Sequence, residues 1–405
     1  IFNFAHVAFG MMAAFTYWQV HAPVEAGGWG WPTLPALAFV ILVVAPLFGA
    51  LVERIIMRGL EGASEVVKIV VTVSLMLALL GAAGWIWPAG KGRSIERFFG
   101  GAKVDVLGTF VTYHRIVILA TAVAVAVVLR LVLFGTRAGV AMRAVVDDRS
   151  LVQLNGGRPA RISMLAWGLG ASLAAVSGIL VAPDRDLNTL ALTLLVVNAF
   201  AAAVVGKLRS LPLTILGALA VGLAEAYCGA YLTGGKSIGG IALTNLRFAV
   251  SPIILFAVMV FQPQARLRAG GIQRVRERWR VPTVKEAALG GAGLVVVLFA
   301  ITELIDADAD RLPLVSAVFF SLVALSLVPL TGFAGQISLA QMSFVGIGAV
   351  VMGHISGDGQ GHTAGALIVA VAVCGVVGAL VALPALRLTG IYLALATAAF
   401  SLFLT

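Results

Sequence analysis

HRIVILATAVAVAVVLRLVLF, residues 114 to 134, decides the fold. About 20 consecutive apolar residues is the length a helix needs to cross the hydrocarbon of a bilayer, and about twice the length of a barrel strand. Lipid offers no partner for backbone N–H and C=O groups, so such a run must close its hydrogen bonds within itself, as a helix. Working outward, runs of the same kind stand near 34 to 53, 66 to 87, 162 to 182, 189 to 206, 211 to 232 and 244 to 262. Five more lie near 288 to 304, 314 to 330, 337 to 355, 366 to 384 and 389 to 405, and the chain opens on another, 1 to 20. The fold class expected is all-α: a polytopic transmembrane helix bundle of roughly thirteen spans.

Composition agrees. The chain of 405 residues is 60% hydrophobic and 11% charged, against about a quarter charged in a soluble domain, so a water-facing surface cannot be built from it. The 46 glycines read as close helix packing, since small residues let membrane helices approach. Cys228 and Cys374 both lie in apolar runs, which indicates small buried side chains rather than a disulfide framework. The five His are scattered without metal-ligand spacing, so no metal or other cofactor is expected. The first residues, IFNFAHVAFG, and the last, SLFLT, both sit in apolar text, which reads as a fragment of a longer protein cut at both ends.

The net charge of +10 invites a nucleic-acid reading, and its distribution removes it. With the spans alternating sides, one set of loops holds Arg54, Arg58, Arg130, Arg137, Arg143, Arg149, Arg158, Arg161, Lys207, Arg209, the 266 to 285 cluster and Arg387. Counting Lys68 at its border, that side carries 19 of the 28 Lys and Arg residues. The other side carries most of the acids, among them Glu25, Asp184, Asp186, Glu303, Asp306, Asp308 and Asp310. Excess Lys and Arg mark the cytoplasmic face of a membrane protein, so the lipid bilayer is the partner of this charge and nucleic acid is not. The densest run, ARLRAGGIQRVRERWRVPTVKE, reads as a cytoplasmic tether whose Arg residues and Trp279 rest on anionic headgroups.

An internal repeat spans that tether. FNFAHVAF at 2 to 9 aligns with ISLAQMSF at 337 to 344, pairing Asn3 with Ser338, Ala5 with Ala340, His6 with Gln341 and Phe9 with Phe344. GALVERIIMR at 49 to 58 aligns with GALVALPALR at 378 to 387, in the same order and at nearly the same offset. Transporters are often built from duplicated units, and the expected organisation is two homologous halves, 1 to 262 and 288 to 405, joined by a basic linker, 263 to 287.

Chemistry is sparse. The sequence has no GxxxxGK[ST] phosphate loop and no nucleophile with a base beside it, so no catalytic residue is assigned and an enzyme is not expected. Asn3, His6, Ser338 and Gln341 are polar groups at matched positions of the two halves and are candidates for a central route, with helix-to-helix hydrogen bonding as the alternative. Glu225, in GLAEAY, is the one acid deep in a span. An intramembrane carboxylate is costly and marks a functional position, either as a packing or gating hydrogen bond or as a proton-coupling group. Outside the membrane, the polar stretch 134 to 162 carries Val140, Ala144, Leu151 and Leu154 at near-helical spacing, then Gly156, Gly157 and Pro159. It predicts a short amphipathic cytoplasmic helix followed by a turn, either a passive interfacial helix or a lever for a soluble partner.

RAVVDDRSLVQLNGGRPARISMLAWGLGASLAAVSGIL, 143 to 180, resembles the coupling loop and following helix of the permease subunits of branched-chain amino acid ABC importers. NAFAAAVVG, PLTILGALAVGLAEA and the opening FNFAHVAFG resemble the first of the two paired permeases, while TGFAGQISLAQMSFVGIGA and PALRLTGIYLALATAAF resemble the second. The resemblance implies a fused pair, truncated at both ends, in a bacterial plasma (inner) membrane. It also implies ATP hydrolysis on separate ABC ATPase subunits and an extracytoplasmic solute-binding protein that feeds the permease. Arg143, Asp147, Asp148, Leu154 and Gly156 would then contact the ATPase. The chain departs from the family after NAFAAAVVG, where Lys207, Arg209 and Leu213 stand at positions that are usually Gly. Importers for sugars or nucleosides, an ion-gradient carrier resting on Glu225, and a scaffold without a pathway are the alternatives.

Overall fold

The structure is a computed structural model and describes residues 3–88, 92–106, 108–185, 187–208, 210–231, 237–238, 241–242, 246–261, 283–304, 308–357, 363–385, 388 and 391–403. Each of the thirteen apolar runs carries a helix. Eight described helices are long and apolar enough to cross a membrane, among them Thr33–Leu60, Tyr113–Gly135, Pro159–Arg185 and Leu211–Tyr231. Thr189–Val205, Ala249–Met259 and Gln341–Ser356 are shorter apolar helices. The terminal runs form helices of 16 residues, His6–His21, and 13 residues, Ile391–Phe403. Many Leu, Val, Ile and Phe side chains of the long helices point outward, which is what a lipid-facing surface requires. The molecule is a multi-pass helical membrane protein.

The chain divides into two compact units, Ile1–Leu255 and Phe256–Thr405. The first is built on α1 (His6–His21), α2 (Thr33–Phe39), α3 (Ala45–Val52), α4 (Glu65–Ile86), α5 (Tyr113–Gly135), α6 (Arg137–Asp147), α7 (Arg149–Leu154), α8 (Pro159–Arg185), α9 (Thr189–Leu194), α10 (Val196–Val205) and α11 (Leu211–Tyr231). Two wide π turns, Val40–Val44 and Glu53–Met57, make α2 and α3 one long helix that closes in a 3-10 turn at Leu60. Its buried residues run Ala36, Val40, Ala45, Gly49, Val52, Glu53 and Met57, so the wide turns keep one stripe on the core over 28 residues.

The core of this unit is α8 laid against α1 and α3, and small residues set the approach. A Cβ on Gly178 would stand 2.1 Å from the Gly10 carbonyl oxygen, and one on Gly10 would stand 2.7 Å from the Ala174 oxygen. On the other side, a Cβ on Gly49 would meet the Trp167 oxygen at 2.4 Å. Backbone therefore touches backbone at both crossings, the means by which membrane helices gain dispersion contacts that hydrophobic burial cannot supply in lipid. Phe9 meets Phe48 edge to face at 5.1 Å, and Phe15 stacks on Trp87 at 5.2 Å. Trp87 in turn donates its indole N–H to Gln19 at 3.1 Å. A short hairpin, β1 (Lys103–Val106) against β2 (Thr109–Thr112), leads into α5. A two-residue pair, β3 (Ser237–Ile238) with β4 (Ile241–Ala242), stands between α11 and α12 (Leu246–Phe261). These are loop ornaments on an all-α frame.

The second unit holds α13 (Val284–Leu304), α14 (Asp308–Leu327), α15 (Gln341–Ser356), α16 (Thr363–Ala385) and α17 (Ile391–Phe403). A π turn, Val328–Phe333, ends α14. The start of α15 is tied to α17 by the Leu339 N–H donating to Thr397 Oγ1 at 3.0 Å and by a Ser343 to Ser401 hydroxyl contact at 2.8 Å. Most of the basic tether, with Trp279, and Arg387 at the end of the second repeat block lie outside the described residues.

Candidate functional site

The polar stretch after α5 folds as two helices where the sequence predicts one. Thr136 opens α6, its hydroxyl accepting from the Gly139 N–H at 3.1 Å. Asp148 then takes an extended conformation, φ −152° and ψ 105°, which ends α6 and caps α7. Its Oδ1 accepts the Leu151 N–H at 2.9 Å. That bond holds the Asp148 carboxyl below the usual carboxylate range; desolvation opposes it, and the Ser150 N–H and hydroxyl add weaker lowering effects. Gly156 closes the element at φ +77°, a left-handed turn that favours glycine, while the Gly157 N–H donates to the Val152 carbonyl at 2.9 Å. Pro159 begins α8.

Of the five residues assigned to partner contact, Asp148 and Gly156 therefore set the bounds of α7, and Arg143 lies over the Phe134 ring at 4.6 Å. Asp147 is exposed at the end of α6, and Leu154 is 84% exposed. Val146, on the same segment, is 85% exposed, and Leu151 is also exposed. These exposed apolar side chains share their segment with Arg143 and Arg149. The element is fastened to the bundle: Arg149 pairs with Glu61, just past the Thr33–Leu60 helix. Three residues before Glu61, Arg58 pairs at 3.1 Å with Glu53, which is 1% exposed, and reaches Met164 Sδ in the first turns of α8. Sequence reading missed Arg149 and Glu61, although opposite charges in two loops assigned to one side were the available signal.

The route candidates are helix starts. Asn3 Oδ1 accepts the Ala5 N–H at 3.0 Å immediately before α1, whose first residue is His6. Ser338 Oγ accepts the Ala340 N–H at 3.3 Å immediately before α15, whose first residue is Gln341. His6 turns toward α8, where a Cβ on Gly170 would meet its Cε1 at 3.6 Å. An apolar cavity of about 170 Å³ lies among α1, α3 and α8, lined by Phe9, Met12, Val44, Phe48 and Ala171, with Thr16 as its hydroxyl.

Glu225 is the centre of a three-helix junction. Along α11, Gly217 and Val221 share its face, at spacings of four residues, and Gly217 packs on Ala202 and Val205 of α10. That register brings Asn198 of α10 onto the carboxylate: its Nδ2 donates to Glu225 Oε1 at 2.8 Å. From α12, Ser251, itself 1% exposed, donates to the same oxygen at 2.6 Å. Sequence reading singled out the acid and missed both donors; Asn198, the lone amide in its apolar run, was the visible signal. Among the described residues there is no group of three His, Cys, Asp or Glu that could hold a metal ion.

Comparison with known proteins places these features in a family. Residues 1–262 match the family described as branched-chain amino acid transport system, permease component. The chain is 26% identical over 239 residues to the high-affinity branched-chain amino acid transport system permease protein BraD of Pseudomonas aeruginosa, covering 58% of this chain and 74% of that one. It is 25% identical over 282 residues to the permease protein LivH of Escherichia coli, covering 67% and 87%. A probable branched-chain amino acid transport permease protein LivH of Methanocaldococcus jannaschii is 25% identical over 237 residues, covering 56% and 73%. No solved structure matches. With the family match spanning well over half its length, this chain belongs to the permease components of branched-chain amino acid transport systems.

Proposed function

We propose that this chain is the membrane permease of an ATP-driven (ABC) importer for branched-chain amino acids or related amino-acid and amide solutes, in a bacterial plasma (inner) membrane. ABC ATPase subunits bind its cytoplasmic face, and an extracytoplasmic solute-binding protein delivers the cargo. The observation that carries this reading is the α6–α7 element, which presents bare Leu154 and Val146 while Arg149 ties it to Glu61. A surface of that kind transmits a push only if something docks on it, and no phosphate loop in this chain supplies the energy. Asp147, Leu154 and the Gly156 turn form the contact, with Arg143 and Asp148 holding the element in shape.

The same reading takes residues 1 to 262 and 288 to 405 as a fused first and second permease joined by the 263 to 287 tether. What supports it is the repeat at the helix starts. Asn3–Ala5–His6 and Ser338–Ala340–Gln341 each place a side-chain oxygen on the N–H two residues on, then an Ala near φ −74° or −99°, then the first helical residue. A proton-coupled carrier would rest on Glu225, and both hydrogen bonds that this carboxyl makes among the described residues are with neutral donors rather than with a second ionisable group.

Replacing Leu154 by Asp, in cells that carry the ATPase and binding protein, tests the docking. The expected outcome is loss of ATPase co-purification with the chain and at least tenfold slower ATP-dependent leucine uptake. A complex that survives both Leu154→Asp and deletion of 147 to 156 removes α7 from the interface.

A further inference from the structure

Packing alone does not explain the chemistry of the Glu225 junction. Asn198 and Ser251 both donate to Oε1, and the amide oxygen of a glutamine would accept those two bonds equally well. A carboxylate adds a negative charge, which is costly at membrane depth and persists where it serves a function. Glu225 is half-buried rather than sealed, and among the described residues it makes no ion pair. With both neutral donors committed to Oε1, the described contacts leave Oε2 for another group.

A second feature points to the same kind of ligand. Ser251 is followed by Pro252 inside α12. Proline has no N–H, so the Phe248 carbonyl, four residues back, does not receive its usual helical bond from position 252. Freed backbone carbonyls at membrane depth are acceptors for cationic groups where they line a polar site. The junction thus gathers a carboxylate and a helix with a released carbonyl, and its donors hold the carboxylate still. A cation fits that set; an anion does not.

We propose that Glu225 is the cation-accepting point of the permeation route and takes the α-ammonium group of the transported amino acid. Asn198 and Ser251 are positioning residues that fix the carboxylate through Oε1. The assignment rests on the amino-acid importer reading. A zwitterion entering low dielectric carries its ammonium charge with it, and a fixed carboxylate replaces the water that neutralised that charge.

The test compares uptake of leucine with uptake of 2-hydroxy-4-methylpentanoate, which replaces the ammonium by a hydroxyl, using the full chain assembled with its ATPase and binding protein in proteoliposomes. Glu225→Gln keeps both neutral hydrogen bonds and removes the charge. The expected result is an increase of at least tenfold in the KM for leucine, little change for the hydroxy acid, and partial recovery of leucine in Glu225→Asp. An equal loss for both solutes, with Glu225→Asp no better than Glu225→Gln, makes Glu225 a helix-packing group and overturns the assignment. Wild-type leucine uptake that requires sodium, with an unchanged leucine preference in Glu225→Gln, makes the site a sodium site and also overturns it. A wild-type complex that moves no amino acid overturns the importer reading, and the ammonium assignment with it.

Discussion

Adding one methyl group at Gly178 tests the α1–α8 crossing directly. In Gly178→Ala the new Cβ stands 2.1 Å from the Gly10 oxygen and 2.8 Å from the Gly10 Cα, where ordinary contact begins at 3.4 Å. Both atoms are backbone, so no side chain can rotate away, and α1 must move off α8 by roughly 1 Å. Overpacking a close-packed site costs about 1–3 kcal/mol, and a backbone obstacle puts this site at the upper end. A loss of about 2–3 kcal/mol in a unit of this size lowers an apparent melting temperature by about 5–10 °C. Gly81→Ala in α4 is the control, since a Cβ there meets nothing within 4 Å, and alanine in a helix is favoured over glycine by about 0.5–1 kcal/mol. The assay is thermal melting of the full chain in detergent, followed by tryptophan fluorescence. If the Gly178→Ala and Gly81→Ala chains melt together, α1 and α8 do not cross backbone to backbone and the account of the core is wrong.

Two further outcomes follow from local geometry. Lys207 and Leu208 hold φ of 52° and 56°, a left-handed conformation that costs a non-glycine residue about 1–2 kcal/mol; Lys207→Gly should raise the melting temperature by a few degrees, and a drop refutes the strain. The Asp148 cap has a carboxyl pKa below its unfolded value, so its contribution to α7 is fully present above the ordinary carboxylate range and is lost as pH falls through the lowered folded value. ATPase co-purification should accordingly hold steady from neutral pH down to about pH 5 in the wild type, while in Asp148→Asn, whose amide oxygen still accepts the Leu151 N–H, acid sensitivity from this cap should vanish; equal acid sensitivity in both chains refutes the link.

Membrane depth made the helices legible. Each apolar run became a helix because lipid leaves the backbone no alternative, and that constraint acts on composition, which a sequence displays. Glu225 was legible for the same reason, as a charge where charge is costly. What escaped notice depends on register and on contacts between segments. The π turn at Val40–Val44 lies in continuously apolar text that has no periodicity to interrupt, and the one at Glu53–Met57 starts on a charged pair, Glu53 and Arg54, that reads as the end of a span. The break at Asp148 is one residue wide, and an Asp followed three residues later by an apolar position reads equally well as a helix interior or a cap. Asn198 and Ser251 meet Glu225 only because α10 and α12 pack on α11, and spacing along one helix cannot supply that. In the same way, the pairing of Arg149 with Glu61 joins loops 88 residues apart.

The wide turns in the Thr33–Leu60 helix give it a property that a regular helix lacks. Each holds a surplus residue relative to the 3.6 per turn on either side, and that surplus can be passed along the chain by exchanging one hydrogen-bond partner at a time. Every residue it passes is re-aimed by about 100° without the helix unfolding or changing length by more than a fraction of a turn. The two turns are clamped differently: Ser172 donates its hydroxyl to the Ile41 carbonyl at 2.9 Å in the first, whereas the Glu53–Arg58 ion pair brackets the second beside α8. The second clamp lies three residues from the ion pair that holds α7, so any displacement of α7 reaches the helix within one turn of its surplus residue.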